Sequence, residues 1–280
     1  MLRTSPLRAL DDRDLPSVRA LLERDPVTDV FVASRVATCG LDSWRLGAEA
    51  WGYVEGGELR SLCYAGANLV PVQATSPAVQ AFADRARRQG RRCSSIVGPA
   101  DTVDPLWRLL EPSWGPAREV RWRQPHMVTT IAPSAGYDAA VRRVRPDEVD
   151  TVLPACVAMF TEEVGVSPVA GDGGVLYRSR VTELVRQGRA FARIDDGVVV
   201  FKAEVAAATS QACQIQGVWV APAYRGQGLA ASGMAAVVRE SLRSVAPVVS
   251  LYVNDFNTAA RAAYRRAGFV ERGCFMSVLF

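Results

Sequence analysis

The run Gln214-Ile-Gln-Gly-Val-Trp-Val-Ala-Pro-Ala-Tyr-Arg-Gly-Gln-Gly-Leu-Ala230 constrains this chain more than any other stretch. Its first half, through Val220, is β-branched and aromatic, the composition of a strand. Pro222 ends that strand, and Arg225-Gly226-Gln227-Gly228 then turns into an alanine-rich segment that reads as a helix from Gly226 to Ser244. A strand that delivers a glycine turn to a helix start builds an anion site. The first-turn amides have no intrahelical partner, and the helix dipole adds partial positive charge. Gly226 and Gly228 let the backbone approach a ligand, and Ala230 keeps the first turn narrow.

Arg225-x-x-Gly228-x-Ala230, preceded by Val220-Ala-Pro-Ala-Tyr224, resembles the Arg/Gln-x-x-Gly-x-Gly/Ala signature of the GNAT acyltransferase superfamily. A second segment, Asn257-Thr-Ala-Ala-Arg-Ala-Ala-Tyr264-Arg-Arg-Ala-Gly268-Phe269, is similar to that family's Asn-x-x-Ala-x-x-x-Tyr-x-x-x-Gly-Phe stretch. The resemblance implies a mixed α/β fold, a twisted mixed sheet flanked by helices. It implies acetyl-CoA as co-substrate, with the diphosphate on Arg225, Gly226, Gln227, Gly228, Leu229 and Ala230. It further implies backbone contacts to pantetheine from Val218 and Val220 on a bulged, splayed central strand, with Asn257 on the pantetheine arm and Tyr264 facing the thioester sulfur. Gly217 fits that bulge, since glycine inside a strand marks a bulge or a close backbone approach. Asn257 and Tyr264 are seven positions apart, hence on one helical face. A phenol of ordinary pKa near 10 suits a proton donor to the departing thiolate, and an amide around Val218 suits the developing oxyanion. The plainer reading of the same residues is an Asn that caps a helix and a Tyr in an amphipathic core.

The base is not legible. The position on the central strand where many family members carry a glutamate is Gln214, which takes no proton. Glu204, Glu162, Glu163 and Asp172 are the nearby carboxylates, and each reads as a solvated surface group. Gly226-x-Gly228-x-x-Ala231 also matches a dinucleotide fingerprint, with Asp255 as ribose ligand, but the Asn257/Tyr264 helix favours CoA.

The signature lies late in a chain of 280 residues, which leaves room for a second domain before it. A shift of 134 positions carries Leu10 onto Val144, Asp14 onto Glu148, Leu15 onto Val149, Ser17 onto Thr151 and Val18 onto Val152. The same strand, acidic turn and amphipathic helix thus recur, the mark of a tandem duplication. The reading is two GNAT-like domains: a degenerate copy over residues 1–132 and a catalytic copy over residues 137–280, parted at Pro133-Ser-Ala-Gly136. In the first copy, strands at 50–53, 59–65 and 67–72, a helix at 77–90, a strand at 93–97 and a helix at 103–110 follow in the family's order. No glycine lies between Ala74 and Gln89, so this copy is expected to bind no CoA. In the second copy the reading sets helices at 147–160 and 175–187, a hairpin across Asp195-Asp-Gly197, a strand at 248–253, a helix at 258–267 and a last strand from Cys274.

Charge and cysteine content bound the partners. With 33 basic against 29 acidic residues the net charge is +4, without the basic excess of a dedicated nucleic-acid binder. The basic run Arg85 to Arg92 sits at a helix C-terminus, where the dipole favours cations. No stretch is apolar enough to span a bilayer, and Met1–Asp12 lacks a signal-peptide core, so the cytoplasm is the expected location. The six cysteines are scattered and His126 is the lone histidine, so no metal site is expected. The resemblance implies a small-molecule or peptide amine as acceptor, and a homodimer is compatible with the reading. The competing reading is a non-catalytic acyl-CoA sensor or partner-binding protein, kept alive by Gln214.

Overall fold

The computed structural model describes residues 6–134, 136–170 and 173–280. The expectations for Met1–Ser5, Ala135, Gly171 and Asp172 therefore lie outside the described residues. In order, the elements are β1 Leu7–Ala9, α1 Leu15–Leu22, α2 Val30–Cys39, α3 Ser43–Leu46, β2 Glu49–Glu55, β3 Glu58–Ala65, β4 Asn68–Val72, α4 Ser76–Gln89, β5 Ser95–Pro99, α5 Ala100–Trp114 and β6 Glu119–Thr129. Then follow β7 Arg142–Arg143, α6 Val149–Val164, α7 Val175–Arg186, β8 Ala190–Asp195, β9 Val198–Ala208, β10 Cys213–Val220, α8 Leu229–Ser244, β11 Val249–Tyr252, α9 Thr258–Arg266 and β12 Val270–Leu279.

The chain divides into two compact units, one of residues 1–126, 252–255 and 272–280, the other of residues 127–251 and 256–271. The division is thus not a single cut at 133–136. The last nine residues complete the first unit, where β12 pairs antiparallel with β5 from Phe275↔Pro99 to Leu279↔Ser95. Residues 252–255 join it too: Val253 and Asp255 donate to the carbonyls of Pro125 and Arg123. Phe280 stands edge-on to Trp107 and Trp114 in that unit's core. β6 escapes sequence reading because its middle is Arg121, Arg123, Gln124, Pro125 and His126, polar residues and a proline where alternation is sought. Its buried polar groups are partnered: Gln124 donates to Asn254 at 2.9 Å and accepts from Ser277 at 2.6 Å.

Both units are mixed sheets with helices, as expected, and the repeat extends to single hydrogen bonds. In the first unit Asp14 accepts from the Asp11 amide at 3.1 Å and takes the Arg8 guanidinium bidentately at 2.6 and 2.8 Å. In the second, Glu148 accepts from the Arg145 amide at 2.9 Å and takes Arg142 bidentately at 2.7 and 2.8 Å. Each pair is related by the same 134-position shift. The Arg142 guanidinium, above all its hydrogen bonds, holds Glu148 down at about 2, and Arg8 likewise lowers Asp14. The parallel pairs match as well, β4 with β5 at Asn68↔Ser95 and β10 with β11 at Cys213↔Val249.

The first unit has its own titrating core. Asp29 is 5% exposed, and its carboxylate accepts from Gln73 Nε2 at 2.8 Å. Burial pushes Asp29 up to about 7, while burial pushes His126, also in the first unit, down to about 4. The two oppose each other in linkage. Asp29, its folded pKa raised, contributes stability present below about pH 4 and lost as pH climbs to about 7. His126, its folded pKa lowered, contributes stability that grows between about 4 and 6.5. Asp29→Asn is therefore expected to raise unfolding stability at pH 7.5 by on the order of a few kcal/mol, with the gain vanishing near pH 4. Denaturant titration of both proteins at the two pH values checks it.

Candidate functional site

The site builds outward from β10, within the second unit. The strand forms one residue earlier than its sequence signal, from Cys213, and pairs antiparallel with β9. Between Gln216↔Glu204 and Trp219↔Lys202 the register slips, so Gly217 and Val218 have no partners on β9. Gly217 adopts φ +60°. A Cβ there would meet Lys202 Nζ and Met159 Cε at 3.0 Å and Glu204 Cδ at 3.1 Å, so only glycine fits this close approach. On the other side β10 and β11 pair only at Cys213↔Val249 and Gln214↔Ser250, then part. The edge of β10 from 215 to 220, including Val218 and Val220, is left open toward β11.

The turn after β10 departs from the expected helix boundary. The helix begins at Leu229, not Gly226, because Gly226 and Gly228 take φ of +78° and +81° and hold the chain non-helical. Gly228 caps α8 without a side-chain hydrogen bond. Among the described residues, none of the five amides from Gly226 to Ala230 has an acceptor, the first return bond being Ala231 N to Gly228 O. A Cβ on Gly226 or Gly228 would meet nothing within 4 Å, so the space in front of these amides is open. The loop is exposed, and α8 sits close on its own sheet because Gly233 lies against the Phe201 ring, where a Cβ would come within 2.8 Å.

Glu162, read from the sequence as a solvated carboxylate, is exposed as expected and also clamps this turn. Its Oε1 accepts from Trp219 Nε1 at 3.1 Å and its Oε2 from Arg225 Nη2 at 2.7 Å, while Arg225 Nε donates to the Val220 carbonyl at 3.0 Å. One carboxylate from the end of α6 thus ties the end of β10 to the residue just before the amide row. Sequence spacing cannot reveal it, since Glu162 and Arg225 are 63 residues apart.

The second motif forms α9. Asn257 is exposed and caps the helix, Oδ1 accepting from the Ala260 amide at 3.1 Å. The capping reading therefore holds for its oxygen, and the side-chain NH2 is what remains to meet a ligand. Ala267-Gly268-Phe269 ends the helix in a Schellman motif. Gly268, at φ +92°, donates to Arg265 O, and Phe269 donates to Tyr264 O. Phe269 packs edge-on to Tyr264 with ring centroids 6.1 Å apart, so the Gly-Phe of the motif fixes the tyrosine ring. Tyr264 is 8% exposed, and its hydroxyl makes no hydrogen bond among the described residues. The expectation of an ordinary phenol pKa is corrected: burial, with a smaller push from the Glu163 charge, raises it well above 10.

Gln214, at 2% exposure, accepts from Gln216 Nε2 at 3.0 Å. Glu204 also departs from expectation. It is buried at 7% exposure and ion-paired with Lys202 at 3.4 Å and Arg180 at 3.6 Å. A signal for this was present: Lys202 and Glu204 alternate on one face of an otherwise apolar strand. The basic run of the first unit is engaged structurally, with Arg85 on Glu49 and over Trp51, and Arg91 over Phe280. No cluster of metal-ligating side chains occurs among the described residues, and no helix is long and apolar enough to cross a membrane.

Comparison with known proteins bears on the same residues. Residues 177–269 match the acetyltransferase (GNAT) family, and residues 48–152 match a family described as a domain of unknown function (DUF4081). Among solved structures, a tandem GNAT protein from the clavulanic acid biosynthesis pathway aligns at TM-score 0.56 and 16% identity, over 98% of either chain. A GCN5-related N-acetyltransferase from Sphaerobacter thermophilus aligns at TM-score 0.61 and 19% identity, over 99% of this chain and 96% of that one. A Drosophila protein aligns at TM-score 0.67 and 14% identity, over 99% of both. Comparison with curated proteins found no match.

The clamp yields a test. An exposed ion pair contributes about 0.2–1 kcal/mol, so Glu162→Gln is expected to weaken acyl-CoA binding by at most about fivefold at low salt. The gap should close as salt screens the wild-type pair, which titration calorimetry at two ionic strengths would reveal.

Proposed function

On the premise that residues 177–269 are a GNAT acetyltransferase domain in a chain with the tandem GNAT fold, we propose that this protein is an acetyl-CoA-dependent N-acyltransferase. The observation that carries the reading is the row of five unpartnered amides from Gly226 to Ala230 at the start of α8. Residues 137–280 act as the catalytic copy and residues 1–132 as a divergent copy without a CoA loop. In that copy α4 starts directly at Ser76, and Pro77 removes one of the donors a diphosphate would need.

The amide row, with Arg225 beside it, holds the diphosphate. The open edge of β10 at Val218 and Val220 receives the pantetheine amides as a further strand would, and the Asn257 NH2 donates to the same arm. The thioester carbonyl then lies at the bulge, where the Val218 amide stabilises the oxyanion. A neutral amine attacks the carbonyl carbon, the tetrahedral adduct collapses, and the C–S bond breaks. The sulfur leaves as thiolate and takes the Tyr264 proton, and the proton lost by the new ammonium restores the phenol through solvent. Acetyl-CoA and amine thus give amide and free CoA. No metal takes part, and we assign the reaction to the cytoplasm with a small-molecule or peptide amine as acceptor.

Burial keeps the Tyr264 proton in place well past neutrality but also makes the phenol a weaker acid than an ordinary one, so its role rests on standing beside the sulfur rather than on a tuned pKa. Tyr264→Phe is expected to lower kcat by roughly 10²- to 10⁴-fold while acetyl-CoA affinity stays nearly unchanged. In the wild type no alkaline fall in kcat below about pH 10 should trace to Tyr264. An unaltered kcat in the variant removes the acid role. The sensor reading has Gln214 in its favour, because no carboxylate stands there. Acetyl-CoA binding without thiol release on any amine would select it.

A further inference from the structure

Beneath the bulge lies a group of charges that the reaction above leaves unused. Lys202 and Glu204, 3% and 7% exposed, extend from β9 on the face where a Gly217 Cβ would come within 3.0 Å of Lys202 Nζ and 3.1 Å of Glu204 Cδ. The pair therefore lies against the segment of β10 that would hold the thioester carbonyl. Arg180 approaches from α7, its side chain 55% exposed, and meets Glu204 Oε1 at 3.6 Å. That is its one ion pair among the described residues, and it is too long for a hydrogen bond. Most guanidinium donors of Arg180 are thus available. Behind the pair the protein closes. The space bounded by Cys156, Val181, Leu184, Lys202 and Glu204 is about 10 Å³, room for one water at most.

The charge pattern selects among amines. Two cations share one carboxylate here, so an amine that is only a cation meets a site already occupied by like charge. An amine that brings its own carboxylate fits both ends, its ammonium on Glu204 and its carboxylate on the planar fork of Arg180, which suits bidentate pairing. The loose 3.6 Å contact is the gap into which such a zwitterion inserts, each end replacing the partner it displaces. Lys202 pairs with Glu204 from behind at 3.4 Å and adds positive field that favours the neutral amine at the moment of attack.

We propose that Arg180 and Glu204 form the acceptor subsite and that the acceptor is an amine bearing a carboxylate a few bonds away, as in an α-amino acid. This rests on the acyltransferase reading above. The test measures thiol release from acetyl-CoA with a panel of L-amino acids, their carboxamides and the corresponding decarboxylated amines, on the full chain. Amino acids are expected to exceed their carboxamides in kcat/KM by about tenfold or more. Arg180→Met, a substitution at a half-exposed position, is expected to erase most of that preference through KM, and Arg180→Lys to keep part of it. Equal or better turnover of carboxamides by the wild type, a preference that survives Arg180→Met, or acetyl-CoA binding without turnover of any panel member each overturns the proposal. Failure of acetyl-CoA to bind at all, read by calorimetry, instead rejects the acyltransferase reading itself.

Discussion

A run of backbone N–H groups that the protein cannot satisfy is the constraint around which the second unit is arranged. Unpaired amides are tolerated because the turn is exposed and water can reach them, but a helix start left uncapped through five residues is unusual. The neighbouring features keep that row open. Two positive-φ glycines hold the chain out of helix, Gly228 caps with no side chain, and Glu162 fixes Arg225 just before them. The bulge at Gly217 and the parting of β10 from β11 extend the same logic along the strand, leaving backbone edge where a ligand's amides can pair. The Schellman cap after α9 completes the wall by fixing Tyr264 with Phe269.

The first unit repeats the framework and closes the site. Its capping turn is the same down to a bidentate arginine, and its parallel strand pair is the same. At the place corresponding to the amide row, however, Gln73 takes φ +46° and turns its side chain onto Leu21 O and Asp29, while the Thr75 amide finds Ser61 Oγ at 3.2 Å. At least one backbone donor there, the Thr75 amide, is thus satisfied internally. The two copies are also not independent along the chain, since β12, which follows α9 in sequence, completes the sheet of the first unit.

How much of this was legible in the sequence depends on whether the determining contacts are local. The central strand, the glycine turn, the helix after it and the 134-position repeat could be read because propensity, turn chemistry and capping act over a few residues. β6 could not, since its polar residues and Pro125 are explained only by partners such as Asn254 and Ser277, far along the chain. The same holds at the site. Glu204 looked like a surface carboxylate, and the pairing of the exposed Glu162 went unread, because burial and ion pairing are tertiary facts. The Tyr264 phenol looked ordinary because its pKa is set by a core that forms around it. Lys202 and Glu204 carried a sign that went unread: two charges on one face of an apolar strand.

The central claim is that the amides just past Arg225 bind the diphosphate of acetyl-CoA. The direct measurement is amide chemical-shift mapping of the labelled full chain during titration with acetyl-CoA, beside a titration with acetyl-pantetheine, which lacks the diphosphate. The account predicts that the largest shifts for acetyl-CoA fall on residues 226–230 and that acetyl-pantetheine leaves those amides nearly unmoved while still shifting Val218. Absence of binding, or shifts concentrated at residues 73–79 of the first unit, would contradict it.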